Sequence, residues 1–132
     1  MNNKNAYDRQ LIRALLTKDV VRFCHSEEVT RILADKRSEA NIRLLESFLN
    51  PNFESMDERE RALYAAVALA IFDQKSGISV LQDFEKYFMT NTGIESMHVR
   101  AALILIGENP ERVRFANVPM SPDLCKSISA EP

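Results

Sequence analysis

The chain has 132 residues, 45% of them hydrophobic and 27% charged, with 17 basic and 19 acidic side chains and a formal net charge of −2. That length suits one domain with a real core, and that mixture excludes a disordered chain. The interspersed signs offer no clustered basic face of the kind that grips nucleic acid, and the two cysteines, Cys24 and Cys125, match no disulfide framework or metal set.

Only three glycines and five prolines interrupt the chain, so long helices are predicted. The first residues, MNNKNAYDRQLIR, lack the apolar core of a signal peptide. Tyr7, Leu11, Ile12, Leu15 and Leu16 form one apolar stripe at the 3.6-residue period, predicting a helix over 5–17 with Asn5 as its cap. Thr17-Lys18-Asp19 reads as a turn before a short second helix around Val20–Cys24. Ser26 followed by Glu27 and Glu28 opens another helix, since acid is favoured beside the exposed N–H groups of a first turn. A further helix is predicted over 38–50, capped by Ser38 and closed by Asn50-Pro51-Asn52.

Ser55-Met56-Asp57-Glu58 has the capping-box spacing, in which two side chains satisfy backbone donors reciprocally. The helix it opens is predicted to reach about Gln74, with Gly77 ending it. Ser79 and Thr92 suggest two more boxes, opening helices that run to about Met89 and to Ile106, the latter closed by Gly107. A short turn is predicted at 111–114. The prediction is therefore a helical domain over 1–114 and an extended or disordered tail over 115–132.

Positions 62–72, ALYAAVALAIF, carry no charge, yet spanning a membrane takes about 20 apolar residues. A helix apolar all round is surrounded by other helices. Its alanines allow close approach, and Leu63, Val67, Leu69, Ile71 and Phe72 fill volume. The segment AAVALA at 65–70 is echoed by AALILI at 101–106, 36 residues later. Such an echo is what stacked helix pairs produce. With "RALYAAVALA" at 61–70 and "MHVRAALILIG" at 97–107, the chain resembles the HEAT and armadillo helical-repeat superfamily over about 55–107. The resemblance implies a binding scaffold that grips a partner protein on a curved surface, with no catalytic residue. An all-α single domain of six or seven helices is expected, either such a superhelix or an irregular bundle.

Site chemistry is sparse. Cys24 and His25 are neighbours, so on a helix they point about 100° apart and cannot serve each other as nucleophile and base. His98 is expected partly exposed at the edge of the buried stripe. Glu95, three residues earlier, is placed to orient it, and that pair is the only candidate for an enzyme. The run Asp57-Glu58-Arg59-Glu60-Arg61 reads as a solvated helix start able to supply polar anchors to a contact surface. The basic cluster Arg31, Lys36, Arg37 and Arg43 is diluted by Asp35 and Glu39. There is no Gly-rich phosphate loop.

The expected function is a non-catalytic protein-binding module of the cytoplasm, in one version a small immunity-type inhibitor that covers a toxin or effector. Its expected contact residues are Asp57, Glu58, Arg59, Glu60, Glu95 and His98. No cofactor, metal, nucleic acid or membrane is expected. The alternative is a self-associating subunit, such as a homodimer.

Overall fold

Seven helices form in the computed structural model, which describes residues 7–35, 37–50, 54–87, 93–108 and 121–128. They are α1 (Arg9–Phe23), α2 (Glu27–Ala34), α3 (Glu39–Ser47), α4 (Met56–Ile71), α5 (Ile78–Tyr87), α6 (Ile94–Leu105) and α7 (Pro122–Ile128). There is no strand among the described residues, and the chain is all-α.

The serine starts form as the spacing predicts. Ser26, Ser38 and Ser55 each accept a hydrogen bond from the backbone N–H three residues on, at Val29, Asn41 and Glu58. Glu58 reciprocates one residue earlier than the standard box, accepting from Glu54 N–H at 3.1 Å. Other starts differ. The cap of α1 is Asp8, which accepts from Leu11 N–H, and Asn5 lies outside the described residues. Ser79 lies inside α5 rather than capping it. The cap position of α6 is Gly93, with no side-chain bond, and Thr92 lies outside the described residues.

The turn predicted at Thr17–Asp19 is instead the interior of one continuous helix. No glycine or proline breaks the ladder there, and both poor helix formers have partners. Thr17 bonds back to the carbonyl of Arg13 at 2.7 Å, and Asp19 turns inward to His98. Tertiary bonding overrides weak local propensity. The predicted tail is corrected as well. Residues 122–128 form α7, packed on α1 and α6 through Leu124, Cys125 and Ile128. The predicted turn at 111–114 and the rest of the tail lie outside the described residues.

The apolar segments become the interior. Every residue of α4 from Ala62 to Ile71 is buried, as is every residue of α6 from Ser96 to Leu105. Each large aliphatic side chain buried this way contributes roughly 1.5–3 kcal/mol before entropy is counted. α4 packs against α1, α2, α3, α5 and α6, which makes it the hub of the fold. Two ties join α4 to α6 in the same order along both helices, Arg59 to Glu95 at 3.5 Å and Tyr64 to His98 at 2.7 Å. The two helices therefore run parallel.

α4 and α6 also end alike. Asp73 N–H reaches Ala70 O and Gln74 N–H reaches Leu69 O, while Gly107 N–H reaches Ile104 O and Glu108 N–H reaches Leu103 O. Each is the Schellman arrangement, and its left-handed position holds Asp73 at φ 62° in one helix and Gly107 at φ 85° in the other. The end of α4 thus falls earlier than the predicted Gln74. Two arginines of α1 bind carbonyls at these ends, Arg13 at Ile71 O (3.0 Å) and Arg9 at Ile104 O (3.1 Å).

Gly77 has a different use from the predicted helix stop. A Cβ there would lie 3.0 Å from both Cα and Cβ of Ala66, so glycine lets the α4–α5 connection press against the hub helix.

Candidate functional site

Between the starts of α2 and α4 lies an open cleft of about 300 Å³. Glu27, Glu28, Asp57, Glu58 and Glu60 line it, with His25, Ser26 and Arg61. Capping explains why carboxylates gather there. Both helices begin at this edge with a serine cap, and the positive ends of their dipoles favour acid in the first turn.

Bonds between elements hold the cleft in shape. His25 donates its backbone N–H to one oxygen of Glu60, and its ring Nδ1 meets the other, both at 3.1 Å. Arg61 pairs with Glu28 at 3.5 Å and stacks over the ring of Phe48, 4.5 Å from its centre. Glu58 is occupied by its cap. Glu27 and Asp57 are both exposed on this edge and have no ion pair among the described residues. The net result is a rigid, acidic, water-accessible recess suited to cationic side chains.

The six residues expected to make contacts are divided among three places. Asp57, Glu58 and Glu60 line the cleft. Arg59 points elsewhere on α4, pairing with Glu95 at 3.5 Å and lying 5.3 Å from the ring centres of both Phe84 and Tyr87. His98 is in neither place. Expected partly exposed beside Glu95, it has 0% exposure and does not bond Glu95. Its Nδ1 lies 2.7 Å from the Tyr64 hydroxyl and its Nε2 lies 2.5 Å from Asp19 Oδ2. Ser121 donates its hydroxyl to the other oxygen of Asp19.

One tautomer satisfies this whole chain. The Tyr64 O–H donates to His98 Nδ1, and the ring Nε2–H donates to Asp19. Burial pushes the Tyr64 phenol up in pKa, with the Glu95 charge adding to it, so the phenol keeps its proton and serves as donor. A largely buried network of this kind ties α1, α4 and α6 to one another.

Sequence reasoning did not find Asp19, Tyr64 or Ser121. Asp19 was open to discovery, because it falls three residues after Leu16 and seven after Ile12, on the buried stripe of α1. A carboxylate on an apolar stripe requires a buried partner. Ser121 carries no comparable signal.

Cys24 and His25 do not pair with each other, since the thiol turns to the Ser26 carbonyl and the ring Nδ1 meets Glu60. Burial raises the Cys24 thiol to about 11, offset in part by a hydrogen bond to the Ser26 carbonyl, while the Glu60 charge raises it further. No group of His, Cys, Asp and Glu among the described residues could hold a metal ion. No described helix is long and apolar enough to cross a membrane. No protein-family model, curated protein or solved structure matches this chain.

Proposed function

We propose that the protein is a non-catalytic protein-binding module whose α2–α4 cleft receives basic side chains of a partner protein. The acidic recess supports this most directly. Its five carboxylates stand against one arginine, on the ends of two helices anchored in the core. Rigid placement lowers the ordering cost of association, and complementary charge speeds encounter. The parallel α4 and α6 with matched ends support a helical-repeat-like scaffold beneath it. One concrete form is an immunity-type inhibitor that covers the basic active site of a toxin or effector. A cytoplasmic setting belongs to the same proposal, and the two free thiols, Cys24 and Cys125, support it.

The test is affinity capture from cells of the source organism with wild type and with the paired reversal E27K/D57K. Both positions are exposed, so the variant should still fold, at a cost of about 0.3–1 kcal/mol for each helix start, which a thermal melt checks. The expected result is a basic partner retained by wild type, released by rising salt, and lost with the reversal. A partner held equally by both forms would remove the cleft from the binding surface. Light scattering on the purified chain completes the test, since a concentration-dependent dimer would instead favour self-association.

A further inference from the structure

The last helix is fastened to the fold in an unusual way. α7 has seven residues, too few to hold a helix in water by itself. It relies on Leu124, Cys125 and Ile128 beneath it, while Pro122, Asp123 and Lys126 face solvent. Its polar tie is Ser121, just before its first turn, which donates to Asp19. Ser121 has φ 56°, a left-handed conformation that any residue with a Cβ resists. A disfavoured backbone therefore coincides with the point of attachment. The strain opposes docking, and the hydroxyl bond to a buried carboxylate holds it.

We propose that α7 is a releasable strap, clasped by Ser121 on Asp19, whose departure uncovers Asp19 and Met97 while the rest of the fold stays intact. The bonding beneath the strap makes this separation feasible. Tyr64, His98 and Asp19 form a complete hydrogen-bonded chain through one carboxylate oxygen of Asp19. The Ser121 bond uses the second oxygen, which water can take over when the strap leaves. Opening therefore leaves the donors of Tyr64 and His98 satisfied. Among the described residues, a further attachment that must part is a soft one, the Cys125 thiol against the Met97 sulfur at 3.0 Å.

Cys125 reports the state of the strap. When docked it is buried, and burial together with the Asp19 charge raises its thiol pKa and keeps it unreactive. Cys24, buried at the C-cap of α1 and outside α7, serves as the internal control. The experiment is alkylation with iodoacetamide under native conditions, with each cysteine followed separately by peptide mass spectrometry. S121A keeps the strained backbone but removes the clasp, and is expected to raise Cys125 labelling about tenfold or more while Cys24 stays unchanged. S121G removes the clasp and the strain together, and is expected to fall between S121A and wild type. Equal acceleration of both cysteines in S121A would mean global unfolding and overturn the strap. So would wild-type protection of Cys125 in S121A.

Discussion

Tyr64→Phe tests the buried chain with the smallest perturbation available. Phenylalanine fills the same space, so no cavity of consequence forms, and the hydroxyl is all that is lost. Its partner, His98 Nδ1, then remains enclosed at 0% exposure with no donor. Leaving a buried acceptor unsatisfied costs about 1–3 kcal/mol, and a middle value of about 2 is expected here. The unfolding entropy is about 2.1 cal/mol/K per residue, which over 132 residues comes to about 0.28 kcal/mol/K. The expected fall in Tm is therefore about 7 °C. Circular dichroism melts and urea titrations should agree, with the urea midpoint lowered and the slope m unchanged. Tyr87→Phe is the control, because Tyr87 is 66% exposed and should shift nothing. A Tyr64→Phe melt within about 2 °C of wild type would refute the reasoning, since less than about 0.6 kcal/mol would then rest on that bond.

Three further outcomes are expected. Gly77→Ala forces a Cβ to within 3.0 Å of Ala66 and should cost about 1–3 kcal/mol in urea unfolding. Ser55→Ala removes the hydrogen bond to Glu58 N–H and should cost about 1 kcal/mol by the same assay. Cys24 should make the fold sensitive to alkali. Its thiol rises from 9.0 to about 11 on folding, so its contribution is whole below pH 9 and is lost as pH climbs toward 11. Urea midpoints measured across that range should fall less steeply in Cys24→Ala than in wild type.

Much of the helical framework was legible because its determinants are local. Ser26, Ser38 and Ser55 each meet a donor three residues away, a distance that a reader of sequence can span. The uncharged runs of α4 and α6 declare burial by composition alone, whatever surrounds them. The candidate cleft was half legible for the same reason. Asp57, Glu58 and Glu60 stood out as a helix start, but Glu27, Glu28 and His25 belonged to another start some thirty positions earlier. Only packing α2 on α4 joined them. Arg59 and Glu95 were named among the same contacts, and they pair with each other away from the cleft.

The errors share one cause. Thr17-Lys18-Asp19 looked like a turn because Asp19 has no local use in a helix, and its use is a histidine 79 residues away. His98 was expected partly exposed at the edge of the buried stripe, with Glu95 three residues earlier as the acid to orient it. In space the nearest is Asp19, brought there by α1 lying along α6. The tail looked structureless because seven residues cannot sustain a helix without a surface to lean on, and that surface belongs to α1 and α6.

The sequence by itself determined where the three serine-capped helices start, which stretches must be shielded from water, and that the class is all-α. Those properties depend on backbone donors and side chains within about one turn of each other. Tertiary structure alone decided which polar groups meet inside, which carboxylates share a cleft, and that a short last helix is held in place. Those outcomes depend on how helices far apart in the chain pack together, and spacing along the chain does not encode that.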